Sequence, residues 1–305
     1  MSKVVVIGSL NADLTVEVQK LPKPGETLLG GDVRHGRGGK GANQAVAAAR
    51  AGGIPTAMIG AVGNDEFGRW LVEGLIADGI DVGGVSVSTR PSGTALITVD
   101  ATGENTIIVA AGANNDVVLD EAAHTQLAEA SVVLAQLEVP QSVLAKAAAL
   151  RPAGALFILN AAPAARLLPE LAAQIDLLIV NESEALAISR ADELDAALAK
   201  LGEQFPAVIL TLGSRGSRYL SKSVRLTQPS FPVEAVDAVG AGDTYCGVLA
   251  AALAKGTAIS EALELASRAA AISVTRTGAQ ESVPTEDELV CFPVWPGRPS
   301  TVRSV

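Results

Sequence analysis

The segment from Val236 to Thr244 combines small residues with one carboxylate in a pattern suited to phosphoryl chemistry. Gly240, Ala241 and Gly242 follow a strand-like run and precede a helical pattern, so their backbone N–H groups predict an anion-binding pocket at a helix N-terminus. Asp243 stands in the first turn, where it suits a site that handles a phosphoryl group and a proton together. The alternative is a glycine-rich loop whose aspartate caps the helix. This segment alone does not separate the two interpretations.

A second glycine loop, residues 36–41, leads into an alanine-rich helical pattern. It matches G-x-G-x-x-G literally, but residues 32–35 before it are polar and do not form the buried first strand of a dinucleotide-binding fold. A Walker A loop is also excluded, because Gly41 stands where Ser or Thr must bind the metal. The loop instead presents one cation, Lys40, and one amide, Asn43, at a helix start. This combination suits the hydroxyl groups of a sugar.

Together with several shorter motifs, the two loops resemble the ribokinase-like sugar kinases of the phosphofructokinase-B family. The similarity rests on the order and spacing of the motifs and covers nearly the whole chain. They occupy residues 8–13, 21–27, 39–45, 103–105, 136–138, 160–164, 181–184, 211–216 and 237–244.

The resemblance implies ATP-dependent phosphorylation of D-ribose at O5. Asp243 would take the proton from the attacking hydroxyl, and the N–H groups of Gly240, Ala241 and Gly242 would hold the transferring phosphoryl group. The alternatives are a kinase for another sugar or a nucleoside, such as deoxyribose or fructose, and a noncatalytic sugar- or nucleotide-binding regulator. Aromatic residues, which a nucleoside kinase would use to stack a base, make up only 3% of the chain. A regulator would be expected to lose Asp243 or the glycine loop.

The resemblance also implies two sets of substrate-binding residues. The sugar set contains Asn11, Ala12, Asp13, Gly39, Lys40, Gly41, Ala42, Asn43, Glu138 and Asp243. The nucleotide set contains Asn181, Glu184, Thr211, Leu212, Gly213, Ser214, Arg215, Gly216, Gly242, Asp243 and Ser267. Taken singly, Asn11 and Asp13 are equally typical of a strand-ending turn, Asn43 of a helix cap and residues 213–216 of a hairpin turn.

Two metal sites follow from the same resemblance. Asn181 and Glu184, three residues apart and expected on one helical face, would hold water molecules around an ATP-bound Mg²⁺. A potassium loop is expected at Asp237, Val239, Ser273, Arg276, Gly278 and Ser282, the last five acting mostly through backbone carbonyls. The alternative for residues 277–279 is a plain turn after a helix.

The composition excludes several other classes. A formal net charge of −10 over 305 residues is wrong for a nucleic-acid-binding surface. The chain has only two histidines, too few for a three-histidine zinc site, and its two cysteines fit a reducing cytoplasm. No charge-free apolar run approaches 18 residues, so a membrane span is not expected.

Short β-branched runs alternate with longer helical patterns, which predicts an α/β fold with an open, mostly parallel sheet and helices on both faces. The predicted strands are 4–7, 56–62, 132–137, 156–159, 177–180 and 208–212. The predicted helices include 43–51, 67–78, 141–150, 192–201 and 261–274. Ligands of such sheets bind at the carboxyl ends of the strands, where Asn11, Asp13, Glu138, Asn181 and Thr211 are expected.

Two stretches interrupt this order and alternate apolar with polar residues, as half-exposed antiparallel strands do. By resemblance they pair into a small β-sheet lid over the sugar, and a second subunit covers the lid in a homodimer. The expected division is therefore an α/β domain at 1–11, 38–88 and 109–290, a discontinuous lid at 12–37 and 89–108, and an irregular tail at 291–305.

Overall fold

A ten-stranded sheet forms the centre of the protein in a computed structural model that describes residues 2–292 and 303–304. In spatial order its strands are β14 (Arg303–Ser304), β13 (Val224–Gln228), β12 (Ser217–Ser221), β11 (Ala207–Thr211), β10 (Leu177–Asn181), β9 (Leu156–Asn160), β8 (Val132–Gln136), β1 (Val4–Ile7), β4 (Thr56–Gly63) and β5 (Asp81–Ser88). The seven strands from β11 to β5 are parallel, and the other three add antiparallel hairpin strands at one edge. The predicted open, mostly parallel sheet is confirmed.

Helices cover both faces of this sheet, as its fully buried strands require. They are α1 (Lys40–Val46, continued by a π-helical turn at Ala47–Ala51), α2 (Glu66–Ala77), α3 (Glu121–Ala128), α4 (Gln141–Leu150), α5 (Pro169–Ala172), α6 (Glu182–Ser189), α7 (Leu194–Gln204), α8 (Ala241–Ala254), α9 (Ile259–Ser273) and α10 (Glu286–Cys291). Val4 and Val6 of β1 pack into a core with α1, α8 and α9, whereas Val5 and Ile7 face a second core with α4 and α7. Among the described helices, none has the length and apolarity needed to cross a membrane.

A separate four-stranded sheet contains, in order, β3 (Arg34–Gly38), β2 (Asn11–Glu17), β6 (Gly93–Val99) and β7 (Asn105–Ala110). The expectation that its strands are antiparallel is wrong for the central pair, because β2 and β6 run parallel. The reason lies in the large sheet. β2 follows β1 and β6 follows β5, and β1 and β5 point the same way, so the chain leaves the large sheet in the same direction twice.

Several predicted boundaries differ from the structure. The first helix begins at Lys40, three residues before the predicted start, and Gly39 precedes it with a φ of 89° that favours glycine. β5, β12 and β13 lie outside the predicted strands. Of the predicted irregular tail, Cys291 ends α10 and Arg303–Ser304 pair with β13, while residues 293–302 and 305 lie outside the described part of the chain.

The second turn of α8 closely approaches the end of α1 and the π-helical turn that follows it, because glycine occupies the contact. A Cβ atom at Gly247 of α8 would lie 2.6 Å from the Cβ of Ala47 and 2.9 Å from the backbone nitrogen of Ala48. A Cβ at Gly41 of α1 would likewise lie 2.6 Å from the backbone of Gly8 and Ser9, just after β1. Glycines therefore permit both the packing of α8 on α1 and the packing of the start of α1 on the residues that follow β1.

This contact predicts the effect of Gly247→Ala. The added methyl group meets backbone atoms that cannot move independently, and overpacking of this kind costs about 1–3 kcal/mol of stability. We expect a lower midpoint of thermal unfolding. Gly242→Ala, on the same helix but with nothing within 4 Å of the added atom, is the matched control and should not destabilise the protein. Equal unfolding midpoints for the two variants would contradict the close helix contact.

Candidate active site

Asp243 and Asn43, assigned separately to catalysis and to sugar binding, are in direct contact. The Asp243 side chain is only 7% exposed, and its Oδ2 accepts a hydrogen bond of 3.0 Å from Asn43 Nδ2. Its Oδ1 accepts a second bond of 2.9 Å from Gln44 Nε2. Both oxygens of a buried carboxylate thus receive amide donors from the first turns of α1, which satisfies a group that would be costly to bury unpaired.

The predicted anion pocket lies at the start of α8, where Gly240 is the N-cap residue with a left-handed φ of 73°. Gly242 is exposed, and its N–H group donates no hydrogen bond within the described residues. The N–H group of Ala241 donates to the Ala238 carbonyl at 3.3 Å. An anion would therefore meet the N–H groups of Gly240 and Gly242 most directly, together with the positive end of the helix dipole.

Lys40 is the cation among several carboxylates. Asp243 raises the pKa of the Lys40 ammonium above its usual range, and Glu138 and Glu184 act in the same direction, while burial opposes them. Lys40 therefore stays protonated at neutral pH. A fixed positive charge beside Asp243 can stabilise the negative charge of a transferring phosphoryl group.

Asp13 and Glu138 add acceptor groups next to Lys40. Burial first, and then the charges of Glu138, Glu281 and Asp243, raise the pKa of Asp13 to about 7. Glu138 Oε2 accepts the backbone N–H of Lys40 at 3.1 Å and also the hydroxyl of Ser9. Carboxylate oxygens of this kind can accept hydrogen bonds from adjacent hydroxyl groups.

Asn11 and Asp13 lie within β2 and not beyond a strand end, since the loop at residues 8–10 separates β2 from β1. Asn11 is 3% exposed and its Oδ1 accepts a bond of 2.7 Å from Asn114 Nδ2. Because the oxygen is used, Asn11 has its Nδ2 donor left for a ligand. Ala12 and Ala42 are buried beside these residues, where only their backbones can contribute to binding.

On the nucleotide side, Asn181 and Thr211 are the last residues of two neighbouring strands and pair directly across them. Asn181 and Glu184 do not lie on one helical face as predicted. Asn181 is the N-cap of α6, and the two residues form a capping box with bonds of 2.9 Å and 2.8 Å. The exposed Asn181 and the buried Glu184 are therefore joined by an interaction that also stabilises the helix. Burial raises the pKa of Glu184.

The predicted nucleotide loop is a 3₁₀ turn at Gly213–Arg215 that closes through a bond of 2.8 Å from the Leu212 N–H to the Gly216 carbonyl. Gly216 has a φ of 86°, and the Ser214 carbonyl accepts the hydroxyl of Ser230. Arg215 is ion-paired with Glu182 at the start of α6. Ser267 lies on α9, and its buried hydroxyl has no hydrogen-bond partner among the described residues.

The predicted potassium loop is partly organised by Asp237. Its carboxylate accepts the N–H groups of Val239 at 2.9 Å and Gly278 at 3.0 Å, so it joins the approach to α8 to the turn after α9. Ser273 and Ser282 are buried with their hydroxyls bonded to nearby carbonyls, and Arg276 is ion-paired with Glu288 on α10.

The donor atoms of this loop fit a monovalent cation. Within the described ranges, the carbonyl oxygens of Val239, Arg276 and Gly278 accept no hydrogen bond from the protein. Those same ranges contain no cluster of three histidine, cysteine, aspartate or glutamate side chains that could hold a metal ion. One carboxylate with several carbonyl oxygens is a weakly charged donor set, better suited to a monovalent ion than to a transition metal.

Several buried amides of the site are absent from the sequence-based assignment. They are Gln44, Asn114, Gln136, Asn160 and Gln280. Gln280 donates to Asn43 Oδ1 at 3.2 Å, and Gln44 donates to Asn160 Oδ1 at 3.1 Å. Gln44, Gln136 and Asn160 do fall within the motifs that carry the family resemblance, which is the signal that could have indicated them.

This fold and this site define a carbohydrate kinase. Residues 1–286 match the pfkB family of carbohydrate kinases, and the chain belongs to that family.

Ribokinases are among its relatives. The chain is 40% identical to a ribokinase of Bacillus subtilis, with 95% of this chain and 98% of the relative aligned. It is 38% identical to a ribokinase of Haemophilus influenzae, with coverage of 94% and 97%. Among solved structures, an Arabidopsis thaliana ribokinase complexed with ribose and ATP superposes with a TM-score of 0.88 at 31% identity, covering 95% of this chain and 98% of the other.

Proposed function

We propose that this protein transfers the γ-phosphoryl group of ATP to O5 of D-ribose, giving ribose 5-phosphate and ADP. The observation that carries the proposal is the contact between Asp243 and Asn43 beside the N–H groups of Gly240 and Gly242, which donate no hydrogen bond within the described residues. It brings a proton acceptor, a sugar-binding amide and an anion pocket to one place. The ribokinase relatives, one of them solved with ribose and ATP, support ribose as the sugar.

In the proposed reaction Asp243 accepts the proton of the attacking hydroxyl. Phosphoryl transfer proceeds through a loose transition state, so positioning and charge stabilisation contribute more than the strength of the base. The N–H groups at Gly240 and Gly242 and the ammonium of Lys40 stabilise the oxygens of the transferring group. Asn11, Asp13, Asn43 and Glu138 orient the sugar, and Asn181, Glu184, Ser267 and the loop at 211–216 hold the nucleotide.

Two cations belong to this proposal. Asn181 and Glu184 would hold water molecules around Mg²⁺, which neutralises charge on the phosphates when it is bound. The loop from Asp237 to Gly278 would hold K⁺ through the carbonyl oxygens that the protein leaves unbonded. K⁺ there would increase the positive potential behind the anion pocket.

We further propose that the small sheet acts as a lid and as the contact between two copies in a homodimer. Leu96 on β6 and its cross-strand partner Ile108 on β7 are 48% and 62% exposed, and they form an apolar surface that a second copy would cover. The division into an α/β domain and a discontinuous lid is proposed as given above. The proposed setting is the cytoplasm.

Asp243→Asn tests the catalytic assignment. The amide keeps the shape of the side chain but cannot accept the proton, so kcat should fall roughly 10²–10⁴-fold while ribose binding changes little. Turnover is measured by coupled ADP release, and ribose binding by calorimetry on the same preparation. A variant with nearly full turnover would rule out Asp243 as the base.

Substrate choice tests the sugar site, with 2-deoxyribose compared against ribose. Polar groups left unpaired by a missing hydroxyl cost about 1–3 kcal/mol each, so kcat/KM for 2-deoxyribose should be lower by about 10-fold or more. Asp13→Ala should narrow this difference because it should lower kcat/KM for ribose more than kcat/KM for 2-deoxyribose. A native preference for 2-deoxyribose would reject ribose as the substrate and leave the kinase assignment intact. If neither pentose is phosphorylated, fructose and nucleosides are tested next.

The cation loop is tested by replacing Na⁺ with K⁺ at constant ionic strength. Screening of surface charges is then unchanged, so only a specific site can respond, and activity should rise. Asp237→Asn, which removes the charge from the loop, should reduce the response. Equal rates in both salts would exclude a functional potassium site.

A further inference from the structure

A row of buried amides leads from the ends of two central strands to Asp243. Gln136 ends β8 and Asn160 ends β9, and the two residues pair across these neighbouring strands. Gln44 lies between them and α8, and it is completely buried. Its Nε2 donates to Asp243 Oδ1 at 2.9 Å and to Asn160 Oδ1 at 3.1 Å, while its Oε1 accepts Gln136 Nε2 at 2.5 Å.

The direction of these bonds is fixed by chemistry. An ionised carboxylate can only accept hydrogen bonds, so the nitrogen of Gln44 must face Asp243. Both protons on that nitrogen are then used, one for Asp243 and one for Asn160, and the oxygen must accept from Gln136. The reversed orientation of Gln44 would place its oxygen against the Asp243 carboxylate. The amide row therefore has one arrangement that satisfies Gln44 and Asp243 together.

Packing holds Gln44 in place. The close approach of α8 at Gly247 brings the helix against the backbone of Gln44 and Ala48. On the other side, Gly8 leaves the space that the Gln136 amide occupies, because a Cβ atom at Gly8 would overlap it. Gln44 cannot turn away from Asp243 without displacing buried neighbours.

The two oxygens of Asp243 thus have different surroundings. Oδ1 is bound by Gln44, which is 0% exposed, whereas Oδ2 is bound by Asn43, which is 6% exposed and belongs to the sugar set. We propose that Gln44 is a positioning residue that fixes Oδ1 of Asp243 and so leaves Oδ2 as the oxygen that takes the sugar's proton. This inference rests on the proposed kinase function.

Gln44→Glu is the sharpest test, because it keeps the size of the side chain and changes its chemistry. A carboxylate 2.9 Å from Asp243 Oδ1 would share one proton with Asp243, so the two groups would titrate as a pair. The other charged or titratable groups coupled to Asp243 are Lys40, Asp13, Glu184 and Cys246, and none of them is altered.

Because the two carboxylates titrate as a pair, the acidic limb of the kcat–pH profile should move by about one pH unit or more. KM for ribose and for ATP should change less than about threefold. A purely structural role would instead lower the active fraction equally at every pH.

Gln126→Glu is the matched control, since Gln126 is also a buried amide but lies on α3 and bonds the Asp81 carbonyl. It should lower the unfolding midpoint without moving the pH profile. If Gln44→Glu shows no unfolding transition, that variant is not folded, and Gln44→Met tests the role of Gln44 instead. It removes the donor without adding charge, and kcat should fall about 10-fold or more with KM nearly unchanged.

Two results would overturn the inference. One is a Gln44→Glu profile that superimposes on the native profile. The other is Gln44→Met turnover within about threefold of native. If the proposed function itself is wrong, the native protein releases no ADP with any sugar, and this result is distinct from the two above. An active native enzyme with an unshifted variant rejects only the role of Gln44.

Discussion

The burial of one carboxylate, Asp243, is the constraint on which the site depends. A buried charge needs both hydrogen-bond partners and an opposite charge. Asn43 and Gln44 supply the first and Lys40 the second, and all three come from a single turn of α1. α1 can supply them only because Gly247 lets α8 pack directly against it. The catalytic geometry and the packing of two helices are therefore one requirement.

Several other acidic residues surround Asp243, and each is stabilised in its own way. Asp13, Glu138 and Glu184 all lie close enough to influence one another or Lys40. Burial and neighbouring charges raise the pKa of Asp13 to about 7, which reduces the negative charge of the site at neutral pH. Glu138 and Glu184 are instead bound by backbone N–H groups at the starts of α1 and α6. Helix N-termini thus serve the acidic residues as well as the predicted anion pocket.

Much of the fold follows from the sequence, because buried parallel strands are continuous apolar runs and the helices between them are long. β5 was harder to predict, since it contains Gly83 and Gly84 within an otherwise alternating pattern. The parallel pairing of β2 with β6 depends on the directions of β1 and β5 in the large sheet. The sequence within β2 and β6 does not indicate those directions.

Some residues of the candidate site can be predicted from the sequence, and others cannot. Gly240, Ala241 and Gly242 before Asp243 indicate a ligand, because few structural roles need three small residues in a row. Gln44, Gln136 and Asn160, in contrast, resemble ordinary polar residues of a helix and of two strand ends. Asn114 was not predicted because it acts from an isolated 3₁₀ segment, Gly112–Asp116. Its role becomes visible only when β2 and β6 are brought together.

The parallel pairing of β2 with β6 has a mechanical consequence. Residues 8–10 and 89–92 are short tethers that enter the small sheet at the same end, where Asn11 and Gly93 pair. Asn114 bonds both backbone groups of Leu10 in the first tether, at 2.9 Å and 3.2 Å, and so fixes it to the 3₁₀ segment Gly112–Asp116. The chain leaves the small sheet at this same end, through Gly39 after β3 and Ala111 after β7, so the connections together define an axis. Any swing of the small sheet about that axis would carry Asp13 through a longer arc than Asn11, while the distance between Asn43 and Asp243 would stay constant.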